Sequence, residues 1–350
     1  MGDQPPAIKH VALRAGVSVG TVSNVLNHPE LVAVDTRDRV VAAIEALGFV
    51  ANRAAGQLRN RRSGIVGVIM PDVRNPFWVE VLSGIEEHLD AHGLVALVGS
   101  SQLDEAREAR LARTFLGHGV DGLVLATGGD LSVTEEISGR LHTVLVDRDG
   151  RGGSRSSVAV DDERGAELAF EHLLDLGHRR IAFVNGSLGH YWCADRRRGA
   201  VRALRRRKLR VAEALVDIEV PALTSDEGHR VADRLIELDP RPTAVVCAND
   251  LLAIGMLHRL ARLRVSVPHE LAVVGFDDIE LCASISPSLT SVRQEPRRLG
   301  RAAAELLLDR PAEPRHVRFE PTLVIRESSV DDPALMTPES PGAAGGPRFW

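Results

Sequence analysis

Three cysteines, Cys193, Cys247 and Cys282, are too few and too widely spaced for a disulfide framework or a metal-ligand set. They fit a reducing cytoplasm. No run of about 18 apolar residues is present, so no membrane-spanning helix is expected. The N-terminus MGDQPPAIKHVA lacks the basic-then-apolar pattern of a secretion signal, and the expected location is the cytoplasm. No heptad repeat is present near the C-terminus, so no coiled coil is expected there. Common catalytic motifs are missing too: no GxGxxG after a strand, no Walker loop, no GxSxG elbow and no HExxH. Asp161 and Asp162 are adjacent, but neighbours in sequence point apart and do not form an acid–base pair. No enzyme, cofactor or metal is therefore expected.

What is present is a core-forming, asymmetric chain. Hydrophobic residues make up 44% of the 350 positions, enough for a small domain and a larger bilobed one. Residues 1–63 hold eight Lys/Arg against five Asp/Glu, while the rest of the chain holds 35 against 43. A basic segment on an acidic body points to one end meeting a polyanion.

The first 48 residues read as three helices. Ile8, Val11, Ala12 and Ala15 share one helical face, and Gly16 breaks that helix. Ser18 is the expected N-cap of a second helix whose inner face is Val22, Val25 and Leu26. A third helix presents Val40, Val41, Ile44 and Leu47, and Gly48 closes it. Helix, glycine turn and helix form the geometry that lays a recognition helix in the DNA major groove. On that helix Thr21, Ser23 and Asn27 can donate to phosphates, with Ser18 at its start. Val19, Gly20 and Asn24 are the outward positions facing base edges; Asn24 can bond an adenine and Val19 can touch a thymine methyl.

From Ser63 onward strands and helices alternate. Apolar runs at 64–70, 94–99, 122–127, 142–147, 180–184, 243–247 and 271–276 are separated by amphipathic stretches of helical length. These stretches include 77–92, 104–118, 163–176, 194–207, 226–238 and 249–263. Buried strands separated by helices mean parallel sheets, arranged as one sheet or two similar lobes. Such folds bind ligands at the carboxyl ends of their strands. The scarcity of aromatics helps to locate that place. Of twelve Phe, Trp and Tyr residues, Phe77, Trp78, Tyr191, Trp192 and Phe276 fall just after, or at the end of, a predicted strand. Rings that stack on a sugar face, with an arginine and carboxylates for its hydroxyls, suit a polyol.

The run IKHVALRAGVSVGTVSNVLN…VDTRDRVVAAIEALGFVANRAAGQL resembles the headpiece and hinge of LacI/GalR-type (lactose repressor) bacterial transcription regulators. NPFW (75–78), VDGLVL (120–125), RRRG (196–199), PTAVVCANDLLAIGML (242–257) and VPHELAVVGFDD (267–278) are similar to the effector domain of that family. The resemblance implies an all-α helix-turn-helix headpiece over 1–50 and a hinge over 51–62. It also implies an α/β bilobed, periplasmic-binding-protein-like (type I) domain over 63–328 with two doubly wound parallel sheets. Residues 329–350 are expected to be a disordered tail. The family likeness implies that the hinge folds on operator binding and wedges Leu58 into the minor groove. Asn52 and Arg59 beside it are further DNA-contact candidates. It assigns Phe77, Trp78, Asp147, His190, Trp192, Arg196, Asn249 and Asp277 to the effector; Asp250 is a further candidate, and helix capping is the alternative role for Asn249 and Asp250. The implied partners are pseudo-palindromic double-stranded operator DNA, a carbohydrate effector and a second copy of the chain in a homodimer. A periplasmic transport protein would share the lobes but would lack the headpiece.

The chain departs from the family pattern at Ala7 and Ala33, where capping Thr or Ser is frequent, and at Ala51 and Gly56 in the hinge. The lost caps and Gly56 predict a headpiece of low stability and a hinge that is disordered without DNA.

Overall fold

The computed structural model describes residues 6–49, 63–129, 131, 139–150 and 153–337. The chain divides into two units, Met1–Ser63 and Gly64–Trp350.

In the first unit, helices α1 (Ile8–Ala15), α2 (Val19–Asn27) and α3 (Val34–Leu47) enclose a small core, with a 3-10 turn at Pro29–Leu31. Gly16 and Gly48 end α1 and α3 in the left-handed conformation at φ 66° and 57°. A side chain would be strained there. Ser18 caps α2 by accepting from the Thr21 N–H at 3.0 Å. Neither Ala7 nor Ala33 supplies a side-chain cap. Near Ala7 the His10 ring compensates in part, accepting from the Ala7 N–H at 3.1 Å. Val11, Val22 and Val40 are fully buried, with Ala12, Ala15, Val25 and Ala43 around them. Two inward expectations fail, since Leu26 and Val41 are exposed. The core is built on small residues, so the helices sit close and their buried arcs are narrow. Ala43, on the side of Val40 away from Val41, takes the place expected for Val41.

The second unit contains two six-stranded sheets. Strands β1 (Ile65–Met70), β2 (Val95–Ser100), β3 (Gly122–Leu125), β4 (Thr143–Val146), β5 (Ser157–Val160) and β11 (His316–Phe319) form the first, in the order β11-β5-β4-β3-β1-β2. All its pairings are parallel; Val68 of β1, for example, sits between Val98 and Val124. Strands β6 (Ile181–Asn185), β7 (Leu215–Glu219), β8 (Ala244–Cys247), β9 (Ala272–Asp277), β10 (Thr290–Arg293) and β12 (Thr322–Val324) form the second, in the order β12-β10-β9-β8-β6-β7. Here the edge strand β12 runs antiparallel to β10. The chain passes between the sheets after β5, after β10 and between β11 and β12, which makes two lobes.

Helix pairs flank the sheets: α4 (Pro76–Asp90) with α12 (Pro296–Asp309), α6 (Asp162–Asp175) with α7 (Tyr191–Arg206), and α9 (Ser225–Ile236) with α10 (Asp250–Leu263). Helix α5 (Glu105–Gly117) covers the first sheet, and α8 (Val211–Ala214) and α11 (Leu281–Ser284) are single turns. The α9–α10 pair meets at glycines. A Cβ on Gly228 would lie 2.1 Å from the Leu252 carbonyl oxygen, and one on Gly255 would lie 2.1 Å from that of Ser225.

The expected tail begins too early. Ser329 and Val330 are buried, Ser329 Oγ lies 2.7 Å from Thr290 Oγ1 and 2.8 Å from His172 Nε2, and the Thr337 N–H donates to the Ile325 carbonyl. Polar tertiary partners hold this Ser- and Pro-containing stretch against the second lobe. Residues 338–350 lie outside the described residues.

Candidate functional site

Two surfaces carry the candidate chemistry. On the first unit, α2 presents Val19, Gly20 and Asn24 to solvent, with Thr21 and Ser23 half-buried. A Cβ added to Gly20 would meet only Ser18 Oγ, at 3.6 Å, so the site has room for a side chain that this sequence does not use. The Ser18 and Thr21 hydroxyls lie 2.9 Å apart and share a hydrogen bond, so both are held in place on one side of the helix start. Asn27 is the last residue of α2. Asn52, Leu58 and Arg59, and the whole expected hinge over 51–62, lie outside the described residues.

On the second unit, the carboxyl ends of both sheets face a cavity of about 340 Å³. All eight residues expected to meet an effector line it. Asn75 begins α4 after β1, caps it through the Phe77 N–H at 3.1 Å, and is followed by Phe77 and Trp78. Those two rings meet edge to face at 5.0 Å. Asp147 follows β4, and the start of α7 brings His190, Trp192 and Arg196. Trp192 stacks with His190 at 5.3 Å and takes the Tyr191 ring edge-on at 5.1 Å.

Arg196 is the electrostatic centre. Its Nε donates to Asp162 Oδ1 at 2.7 Å, a second guanidinium nitrogen donates to the Ala248 carbonyl, and its plane lies 3.7 Å over the Phe276 ring. Burial works against its charge, but the carboxylates of Asp162, Asp277 and Asp147 more than offset this and raise its pKa. Asp162 is the residue that sequence reasoning missed. Its neighbour Asp161 points elsewhere, as expected of adjacent residues: it caps α6 through the Arg164 N–H at 2.9 Å and meets Arg318 at 2.6 Å. Only the rule that a buried guanidinium needs a carboxylate could have prompted a search for it.

Asp277 stands at φ 111°, a backbone region rarely adopted outside glycine. Its Oδ1 accepts from Gln294 at 2.6 Å and its Oδ2 from Asn75 at 3.2 Å. Burial pushes its carboxyl up to about 6, while Arg196, Asn75 and Gln294 hold it lower than burial alone would. Asp147, also left-handed at φ 56°, is buried. Its Oδ1 has no hydrogen-bond partner among the described residues. Burial, and then the neighbouring Asp162, push its pKa well above the usual carboxylate range.

Two weaker expectations change. Asn249 lines the cavity, but its Oδ1 caps α10 at Leu252 and its Nδ2 donates to the Leu223 carbonyl. Asp250 is fully buried away from the cavity, accepting from the Ile279 N–H and from Ser291 Oγ, and it braces β9 against β10. Phe276 is likewise a core residue beneath Arg196 rather than part of the lining.

Residues 7–52 match the model of the bacterial regulatory proteins, lacI family, and residues 170–329 match the periplasmic binding protein-like domain. Over 334 residues the chain is 31% identical to the HTH-type transcriptional repressor PurR of Vibrio cholerae, covering 93% of this chain and 98% of the relative. Its fold matches the lac repressor dimer bound to operator and the anti-inducer ONPF with a TM-score of 0.82 at 26% identity, over 94% of this chain and 100% of that one. A complex of the transcriptional regulator CelR with cellobiose matches with a TM-score of 0.69 at 28% identity, over 93% and 100%.

Proposed function

Because the chain belongs to the LacI family of bacterial regulatory proteins and is a DNA-binding repressor with an effector-binding domain rather than an enzyme, we propose that its effector is a sugar or sugar derivative whose binding controls operator affinity. The observation that carries this reading is the cavity itself. Asp147 and Asp277 supply acceptors, Arg196 supplies donors, and Trp78 and Trp192 stand beside them. A polyol meets this set well, since each hydroxyl can donate to a carboxylate and accept from the guanidinium.

The mechanism is linkage. Asp147 belongs to the first lobe and Arg196 and Asp277 to the second, so a ligand touching all three favours one lobe arrangement. Operator DNA favours the arrangement of a homodimer that presents two headpieces and hinges together. The coupling is reciprocal and typically ~1–3 kcal/mol. Val19 and Asn24 read base edges in each half-site. Gly20 faces the bases between them without a side chain to read with, Ser18, Thr21, Ser23 and Asn27 lie against the DNA backbone, and Asn52, Leu58 and Arg59 engage the centre of the operator.

Selection from random duplex DNA by the full-length protein tests this. The expected product is a palindrome of roughly 14–20 base pairs, the span of two half-sites one helical turn apart. Binding should be lost on Leu58→Ala and in a chain starting at Ser63. A panel of sugars, with hypoxanthine and guanine alongside, is then screened for altered affinity for that duplex. A response to purine bases alone would remove the carbohydrate reading and leave the repressor intact.

A further inference from the structure

The effector cavity does not stand alone. A second cavity, also of about 340 Å³, shares Leu103, His190, Trp192, Pro221, Ala222 and Leu223 with it. The two differ in chemistry. Arg196, Asp147, Asp277 and Asn249 line only the first. The second adds Gly186, Cys193 and Val220, with the Ser187 hydroxyl and the Glu219 carboxylate at exposed positions. Each volume alone is near the lower end of the ~300–1,000 Å³ typical of ligand sites. Together they exceed what one sugar ring needs.

The shared boundary is closely packed. A Cβ on Gly128 would lie 2.5 Å from Trp192 and 2.7 Å from His190, so the stacked pair rests directly against this glycine. Opposite it, Leu103 projects from the first lobe. Gln102 and Leu103 both adopt left-handed φ, at 55° and 59°. Such conformations are strained outside glycine and persist where surrounding structure enforces them. An apolar side chain is thus held at the mouth of both chambers, beside a ring wall on which a second ring can stack.

We propose that the effector is a sugar carrying a ring-sized glycosidic substituent, with its hydroxyl-rich ring on Arg196, Asp147 and Asp277 and the substituent between Leu103, Trp192 and Leu223. This rests on the carbohydrate reading above and narrows it to disaccharides and glycosides.

The test is calorimetric titration of the full-length protein with glucose, galactose and xylose, with their phenyl glycosides, with cellobiose, lactose, maltose and xylobiose, and with hypoxanthine. At least one substituted sugar should bind tenfold or more tightly than its parent monosaccharide. Ser187→Phe, at an exposed loop position lining only the second chamber, should cut that ratio below threefold. Glu219→Ala should weaken the disaccharide and leave the phenyl glycoside within twofold, because only the former offers hydroxyls to the carboxylate. Parent sugars that bind as tightly as their derivatives, or a ratio unchanged in Ser187→Phe, would overturn the two-chamber proposal while the carbohydrate reading stands. Binding of hypoxanthine with no sugar bound would overturn both.

Discussion

Asn75 Nδ2 lies 3.2 Å from Asp277 Oδ2, a hydrogen bond joining the end of β1 in one lobe to the end of β9 in the other across 202 residues of chain. The same Asn75 caps α4 through its oxygen, and the same Asp277 lines the effector cavity. Lobe closure and ligand contact therefore converge on one carboxylate. Asn75→Ser keeps a capping oxygen but is too short to reach Asp277. The ligand-free protein should then open, seen as a larger radius of gyration by X-ray scattering with helix content unchanged.

Arg196 and Asp162 are each 4% exposed, and each neutralises the other. Removing one leaves a buried charge, so Arg196→Met or Asp162→Leu alone should lower unfolding free energy by about 3–5 kcal/mol. The double variant should lose much less than the sum. Urea denaturation of the three variants measures this, and strict additivity would show that the pair is not coupled.

Glu108 is buried and its carboxyl is pushed up to about 7, with a Thr127 hydrogen bond opposing the burial and with Glu105 and Arg148 nearby. Its pKa in the folded state lies above the ordinary 4.5 of the unfolded chain. Its contribution to stability is therefore complete below about pH 4.5 and is lost as pH rises through about 7. Glu108→Gln should remove that loss. The stability difference between variant and parent should grow in favour of the variant from pH 5 to pH 8 in chemical denaturation.

Helix caps set the stability of the headpiece. Ser18→Ala removes the bond to the Thr21 N–H and should cost about 0.5–2 kcal/mol, while Ala33→Asp supplies the missing cap of α3 and should add about 1 kcal/mol. Amide exchange within α2 and α3 of the full-length chain reports both, with opposite signs.

The α9–α10 contact leaves no room for a methyl group. Gly228→Ala would place a Cβ 2.1 Å from the Leu252 carbonyl oxygen. The helices must separate, and a loss of about 1–3 kcal/mol is expected from the thermal midpoint, although alanine is the better helix former. An unchanged midpoint would mean that the pair can slide at no cost.

The sequence by itself determined the three headpiece helices, the Ser18 cap, the outward face at Val19, Gly20 and Asn24, and seven strands. Each depends on neighbours within about ten residues, where helical period, glycine turns and runs of Val, Ile and Leu are decisive. Of the aromatics placed by the strand-end rule, Phe77, Trp78 and Trp192 line the cavity, while the charged and polar lining residues Asp147, His190, Arg196, Asn249 and Asp277 came from the family resemblance. Only the tertiary structure decided the rest. Edge strands β7, β11 and β12 carry no continuous apolar run, unlike β2 at the other edge of the first sheet, so only their pairing identifies them. Strand β10 buries Thr290 and Ser291, which is possible only because Arg326, Ser329 and Asp250 satisfy their hydroxyls from distant parts of the chain. The partner of Arg196, the ordering of Ser329 and Val330, and the glycines between helices all rest on contacts between residues far apart in sequence. Local pattern can say that a buried charge or hydroxyl needs a partner. Which residue supplies it is settled when the two sheets fold against their helices.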